Sequence, residues 1–129
     1  MVTFDQAAAL AAGLPEVTEG ERFGHRTWFV GKKAFAWERP FSKADLKRYG
    51  DEVPPSGPIM AVSTADLAEK EAVLAEYAGP VFDIPHFNGY AAVLIQLDRV
   101  TKAVLRELLQ DGWLAVAPKS LVKEHFPSL

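Results

Sequence analysis

Apolar residues recur at the three- and four-residue spacing of an amphipathic helix in three stretches of the chain. These stretches run from residue 3 to 12, from 63–66 to about 77, and from 101 to the proline at 118. Each begins at a residue whose side-chain oxygen can cap a first helical turn. The pattern predicts three main helices, and in the second it assigns four charged residues to the solvent side: Glu69, Lys70, Glu71 and Glu76.

Between these helices lie runs rich in β-branched and aromatic residues, which favour strands. Two runs separated by Gly31 and Lys32 predict a β-hairpin, and strict alternation would place Phe35, Trp37 and Arg39 on one face of its second strand. The first run is polar and predicts an edge strand or an extended lead-in. In chain order the runs cover residues 17–23, 26–30, 33–39, 58–62, 81–84 and 91–97.

A stretch rich in proline and glycine at 40–58 interrupts this order, with two predicted helical turns at 42–49. Residues 119–126 add a last turn or two. Runs of strands between helices favour an antiparallel sheet, because parallel pairing would need a helix after every strand. The sequence therefore predicts an α+β fold, a two-layer α/β sandwich with a mostly antiparallel sheet of five or six strands. We expect a single domain over residues 1–129, since domains typically hold ~100–150 residues.

Composition excludes several classes of protein. The chain has no cysteine, so it cannot form a disulfide, a thiolate nucleophile or a cysteine-ligated zinc site. Its apolar runs are far shorter than the ~20 residues of a membrane span, and no basic segment precedes an apolar stretch near the N-terminus. We therefore expect a cytoplasmic location and no membrane partner. We also expect a monomer.

Charge is distributed unevenly along the chain. The formal net charge is −3, which by itself argues against nonspecific nucleic-acid binding, because that affinity comes from neutralising phosphates. Residues 22–48, however, hold eight bases and two acids, while residues 49–98 hold one base and eight acids. The basic stretch includes the predicted hairpin, so any contact with phosphates would be confined to one part of the protein.

Four segments of the chain resemble the MmcQ/YjbR family of small bacterial proteins. They are LPEVTEG at 14–20, TWFVGKKAFAWERP at 27–40, IPHFNGYAAVLIQLD at 84–98 and WLAVAPK at 113–119. Ala91 stands where the family often has a proline. The resemblance implies the CyaY-like, secretion-chaperone-like two-layer fold, and it implies DNA binding, the function with which the family is commonly labelled.

The first functional hypothesis is a nucleic-acid-binding module built on the basic, aromatic-rich hairpin. Arginine and lysine would contact phosphates, and an exposed aromatic ring could stack on an unpaired base. The alternative is that the aromatic side chains are core and the basic residues form a solvated face. The candidate nucleic-acid-binding residues are Arg26, Lys32, Lys33, Arg39, Lys43, Lys47 and Arg48.

The second hypothesis is a pocket for a small anionic ligand, or for a peptide or protein partner. Tyrosine and asparagine would give directional hydrogen bonds, and arginine and lysine would give charge. The alternative is that the turn at 85–90 only satisfies its own backbone around Gly89, with Lys119 near a helix end. The candidate ligand-binding residues are Trp37, Arg39, His86, Asn88, Tyr90 and Lys119.

Catalysis and metal binding have the weakest support in the sequence. Asp83 and His86 form a poor acid–base pair across Pro85 in an extended segment. The three histidines, His25, His86 and His125, are far apart, and none has a second ligand at helical spacing. We therefore expect no catalytic residue, no metal and no cofactor. The sequence favours a non-enzymatic binding module, with DNA as the first partner and a small anionic ligand or protein as the alternative.

Overall fold

A computed structural model describes residues 2–128 and contains the three predicted helices, the predicted strands, and short helices at both places where the sequence predicted one or two helical turns. The long helices correspond to the three apolar stripes in the sequence, and the short ones, of seven residues each, are α2 and α5. In chain order the elements are α1 (Phe4–Ala12), β1 (Val17–Arg22), β2 (His25–Val30), β3 (Lys33–Glu38), α2 (Lys43–Tyr49), β4 (Ile59–Ser63), α3 (Leu67–Glu76), β5 (Val81–Phe82), a 3-10 helix (Pro85–Phe87), β6 (Ala92–Gln96), α4 (Lys102–Val116) and α5 (Lys119–His125).

The six strands form one sheet in the order β1-β2-β3-β4-β6-β5, and every neighbouring pair is antiparallel. This confirms the predicted α+β two-layer sandwich. The predicted edge strand is β1, whose residues after Val17 are exposed. A polar, charged edge of this kind discourages pairing with another chain. No helix within residues 2–128 is long and apolar enough to cross a membrane.

The sheet separates two apolar clusters. The larger one lies under the helices and includes Trp28, Phe35 and Trp113, all fully buried, with side chains of α1, α3 and α4. The smaller one lies on the other face, where Ala61 and Leu94 of the sheet meet Phe87 of the 3-10 helix. Trp37, Phe41 and Phe82 pack against this second cluster. One face of the sheet thus carries the main core, and the other is only partly covered.

A β-bulge in the hairpin corrects the prediction that Phe35 and Trp37 share a face. Trp28 pairs with Ala36 and Phe29 pairs with Ala34, so Phe35 has no partner in β2. A bulge inserts one residue into the alternation and re-aims the side chains on either side of it. Phe35 therefore joins the core under the helices, whereas Trp37 joins the cluster on the opposite face.

Helix α4 packs closely on the sheet at Gly112. A Cβ at this position would lie 2.6 Å from Cγ1 of Val62 and 3.1 Å from the carbonyl oxygen of Ser63. Only glycine allows this approach, which brings the helix backbone onto β4. The second long helix begins one turn later than the sequence suggested: Asp66 is its N-cap, and Ser63 is the last residue of β4.

Candidate functional site

A groove of about 940 Å³ lies on the sheet face opposite α1, α3 and α4. It is bordered by α2 and the 3-10 helix, which contact each other, and by the turn between β1 and β2. The sheet forms its floor, and its basic and aromatic side chains come from segments far apart in sequence. The lining comprises Arg22, Phe23, His25, Thr27, Trp37, Glu38, Arg39, Pro40, Phe41, Ser42, Ala44, Arg48, His86, Phe87 and Tyr90.

Three aromatic rings form a continuous apolar surface in the groove. The ring centres of Trp37 and Phe87 are 6.3 Å apart, and those of Trp37 and Tyr90 are 6.4 Å apart. Phe87 and Tyr90 meet edge to face at 5.6 Å, a favoured geometry for an aromatic pair. Phe87 is buried in this cluster, whereas Tyr90 is 53% exposed. The surface thus has a packed base and one open ring.

The segment that carries Phe87 and Tyr90 folds as a tight turn. Pro85 opens the 3-10 helix, and the Tyr90 amide donates to the Phe87 carbonyl at 3.0 Å. Asn88 has φ −58° and ψ 129°, and Gly89 has φ 75°. These angles describe a type II turn, which requires a residue tolerant of positive φ at its third position. Gly89 therefore sets the direction in which Tyr90 enters the groove.

Lys70 anchors this turn from α3, contrary to its predicted place on the solvent side of the helix. Its side chain is only 3% exposed in the structure. The ammonium group donates to the carbonyl oxygens of Phe87 at 2.7 Å and Tyr90 at 2.8 Å, and it lies 3.1 Å from Oδ1 of Asp83. A buried ammonium is tolerated only when oxygens replace its water. Lys70 thereby fixes the groove wall from behind.

Asp45 performs the same role for α2, which borders the groove next to the 3-10 helix. Ser42 and Asp45 cap α2 reciprocally, and Arg39 binds the Asp45 carboxylate at 2.9 Å. Burial works to raise the pKa of Asp45, but the hydrogen bonds from Ser42 and Arg39 outweigh it and hold the pKa below its usual value. Arg39 also lies over the Phe87 ring at 5.5 Å. Arg39 therefore joins β3, α2 and the 3-10 helix.

Two other arginines at the groove have more freedom. Arg48 approaches Asp45 only at 3.5 Å and remains 46% exposed. Arg22 is exposed at the end of β1, where its guanidinium lies 5.7 Å from the centre of the Phe23 ring. Guanidinium groups with unused donors can bind a carboxylate or phosphate through paired hydrogen bonds. Arg22 and Arg48 are the groups best placed to bind an anion.

The structure brings together four of the six candidate ligand-binding residues. Trp37, Arg39, His86 and Tyr90 all line the groove. Asn88 does not, because it occupies the exposed second position of the turn. Lys119 begins α5, whose apolar side chains pack on the cluster under the helices, so it lies on the other side of the sheet. The predicted six-residue pocket required the turn and the end of the third long helix to meet, and the structure separates them.

The candidate nucleic-acid-binding residues occupy three separate places. Lys32 and Lys33 form the exposed tip of the hairpin, about 13 Å along β3 from Trp37 at the strand's rise per residue. Arg26 pairs with Glu19 at 2.8 Å and lies over the rings of Phe4 and Trp28, on the helical side. The remaining four belong to the groove wall or to α2 beside it: Arg39, Lys43, Lys47 and Arg48. The seven candidate residues therefore do not form one surface.

Sequence reasoning missed the groove residues at the turn between β1 and β2. Phe23 and Gly24 are the two central residues of a hairpin turn, since Arg22 pairs directly with His25. The signal was present: a glycine follows an aromatic residue between two strand-forming runs. His25, the first residue of β2, faces Glu38 across the groove floor at 3.7 Å. Phe23 and His25 thus belong to the lining of the groove.

A smaller cavity of about 240 Å³ lies among β4, α3 and α4, and it is acidic. Glu69 and Asp111 line it beside apolar side chains. Burial raises the pKa of Asp111, and the carboxylates of Glu107 and Glu69 raise it further. Within residues 2–128, no three side chains of the metal-binding types are grouped to hold an ion. The smaller cavity is acidic and the groove is basic, so the groove is the more favourable site for an anion.

The YjbR family model matches residues 12–115. The uncharacterized proteins Rv2570 of Mycobacterium tuberculosis and Mb2600 of Mycobacterium bovis are each 43% identical to this chain over 126 residues, covering 95% of it and 95% of the relative. The crystal structure of Deinococcus radiodurans protein DR2400, a DUF419 domain, superposes with a TM-score of 0.62 at 19% identity, covering 97% of this chain and 81% of that one. The resemblance drawn from the sequence motifs is confirmed.

Proposed function

The chain belongs to the YjbR family, and from this premise we propose that it is a non-enzymatic binding module that holds an anionic ligand in the groove. One observation carries the proposal: Trp37 and Arg39 of one segment and His86 and Tyr90 of another, far apart in sequence, line a single concavity. Ligand sites commonly combine an apolar, aromatic surface with a few polar groups that converge on it. This is the composition of the groove.

Charge favours an anion over a cation or a neutral molecule. The lining includes three arginines, Arg22, Arg39 and Arg48, against one carboxylate, Glu38. Arg39 is held by Asp45 and contributes mainly structure, whereas Arg22 and Arg48 have donors to spare. His25 and His86 would add positive charge when protonated. An anion entering the groove would meet arginine donors at its rim.

The arrangement of hydroxyl and imidazole groups supports a binding role rather than catalysis. Thr27 lies beside His25 in the groove, but its hydroxyl donates to the His25 carbonyl oxygen at 3.1 Å. A nucleophilic hydroxyl would instead need to donate to a general base such as the imidazole. His25 in turn approaches Glu38 only at 3.7 Å. These groups hold the groove floor in position.

Nucleic acid is the second candidate partner, with its contacts confined to the groove and α2. An exposed aromatic side chain next to arginines is the combination with which single strands are bound, and Phe23 beside Arg22 provides it. Lys43 and Lys47 on α2 would extend the basic path away from the groove. The hairpin tip at Lys32 and Lys33 lies away from the groove, about 13 Å farther along β3, and is tested separately.

Two variants with the same change in charge separate these possibilities. Arg22→Gln/Arg48→Gln removes two positive charges from the groove, and Lys32→Gln/Lys33→Gln removes two from the hairpin tip. Each is titrated at low and moderate salt with inorganic pyrophosphate and with a labelled single-stranded oligonucleotide, while amide chemical shifts report where binding occurs. Thermal unfolding checks that both variants remain folded.

The proposal predicts that pyrophosphate shifts amides of the groove and that only the groove variant loses this effect. Loss of oligonucleotide binding in the tip variant, with no effect of pyrophosphate on the groove, would favour the original hairpin hypothesis. If pyrophosphate at millimolar concentration leaves the groove amides of the wild type unchanged, the anion-binding proposal is wrong.

A further inference from the structure

Phe23 adopts a backbone conformation that its residue type disfavours. With Phe23 at φ 54° and Gly24 at φ 79°, the two residues form the centre of the turn that joins β1 to β2. Two-residue hairpins of this kind require positive φ at both positions, and Asn-Gly or Asp-Gly is the usual choice. A bulky aromatic residue in this region is an outlier that the surrounding structure must sustain.

Packing does not explain the choice of phenylalanine. The side chain is 90% exposed, so almost none of its apolar surface leaves water. The Arg22 guanidinium makes a cation–π contact with its ring at 5.7 Å from the ring centre, and that group is itself exposed. An exposed, strained aromatic residue at the mouth of a groove is a marker for a functional site.

Two further rings make the groove suited to a flat molecule. Tyr90 also lines the groove and is half exposed, and the Trp37 ring on the groove floor lies beside it. A planar ring gains from contact with aromatic faces, and an adjoining arginine gains from contact with its anionic substituent. Phe23 and Tyr90 have open ring surface, while Arg22 and Arg48 have open donors.

We propose that the ligand of the groove is a planar aromatic ring joined to an anionic group, and specifically a mononucleotide. This inference rests on the proposed anion-binding function. The base lies against Phe23 and Tyr90, and the phosphate is bound by Arg22 and Arg48. The groove volume of about 940 Å³ is at the upper end of the ~300–1,000 Å³ typical of ligand pockets. That size favours a nucleotide over a single-ring carboxylic acid.

Calorimetric titration with four compounds tests which part of the ligand is recognised. Adenosine monophosphate carries ring and phosphate, ribose 5-phosphate lacks the ring, benzoate has a small ring with a carboxylate, and inorganic phosphate has the charge alone. The nucleotide is expected to bind at least about fivefold more tightly than ribose 5-phosphate, the lower end of what base stacking on a side chain contributes. Tighter binding of benzoate than of the nucleotide would replace the nucleotide by an aromatic acid and overturn the proposal.

Replacement of Phe23 provides the decisive variant, because loss of folding cannot imitate its effect. Phe23→Asn creates the preferred Asn-Gly turn, so its melting temperature is expected to rise. Its affinity for adenosine monophosphate is expected to fall at least about fivefold, with ribose 5-phosphate binding unchanged. Phe23→Tyr keeps the ring and serves as the matched control, with nucleotide affinity close to that of the wild type.

The outcomes separate the two proposals. Equal binding of adenosine monophosphate and ribose 5-phosphate, or unchanged nucleotide binding in Phe23→Asn, would overturn the planar-ring inference and leave anion binding intact. If none of the four compounds binds to the wild type, the proposed function and the inference both fail.

Discussion

Replacing Lys70 with methionine would keep the length of the side chain and remove the positive charge that holds the Phe87–Tyr90 turn. The carbonyl oxygens of Phe87 and Tyr90 would lose their donor, and Asp83 would lose the only cation within 4 Å among the described residues. Breaking a buried ion pair by removing one partner costs about 3–5 kcal/mol. Because the Asp83 side chain is 27% exposed although its Oδ1 is buried, we expect the lower end of this range, a loss of about 3 kcal/mol.

This loss corresponds to a large change in thermal stability. Unfolding entropy is ~2.1 cal/mol/K per residue, so for 129 residues the melting temperature should fall by about 11 °C. Urea unfolding followed by tryptophan fluorescence would give the free energies for the wild type, Lys70→Met, Asp83→Asn and the double variant. The double variant should lose less than the sum of the single losses, because it removes both charges together.

Lys123 on α5 provides the control, since it is exposed and has no ion-pair partner among the described residues. Lys123→Met should change the free energy of unfolding by no more than about 0.5 kcal/mol. If Lys70→Met costs less than about 1 kcal/mol, or if the double variant is additive, Lys70 does not anchor the turn as described.

Two further substitutions test the packing of α4 and the capping of α2. Gly112→Ala should lower the melting temperature although alanine favours a helix by ~1 kcal/mol, because its Cβ would meet Val62; a rise would contradict the close approach. Asp45→Asn should destabilise the fold most near neutral pH. The folded-state pKa of Asp45 lies below the ordinary 3.8, so the carboxylate stabilises above about pH 3.8 and the benefit disappears as pH falls through the folded value. Urea unfolding at several pH values gives the difference in unfolding free energy between the wild type and Asp45→Asn. A difference that stayed constant from neutral to acid pH would refute this prediction.

Elements whose burial follows a local period could be predicted from the sequence. The stripe that starts after Thr101 corresponds to α4, and the uninterrupted apolar run at 91–97 corresponds to β6, buried along its whole length. In both cases the spacing of apolar residues reports which side chains leave water, and tertiary contacts agree with it. The antiparallel topology followed from the order of these elements.

Features that depend on contacts between distant residues could not be predicted. The bulge at Phe35 arises because β3 has one more residue than β2 over the paired segment. The alternation of residues along β3 alone does not show this extra residue. Lys70 sits among charged residues at helical spacing, so it was assigned to solvent. Its burial follows from the docking of α3 against a turn 17 to 20 residues farther along the chain.

The residue types that line the groove could be predicted from the sequence, but their positions in the fold could be predicted only in part. Tyr90, His86 and Trp37 were grouped by residue type, and the fold brings them together. Lys119 was grouped with them on the same grounds, but periodicity does not tell which face of the sheet α5 covers. Phe23 was not among the candidate ligand-binding residues, because an exposed aromatic residue in a turn has no hydrophobic pattern around it.

The bulge at Phe35 also has an evolutionary consequence. Because it turns Phe35 toward the helices and Trp37 toward the groove, two large aromatic residues two positions apart serve opposite sides of the sheet. Natural selection can therefore act on the two sides separately. Substitutions at Trp37, Tyr90 or Phe23 can therefore alter the groove while the residues under the helices keep their packing, so related sequences can share one fold and differ in the lining of the groove.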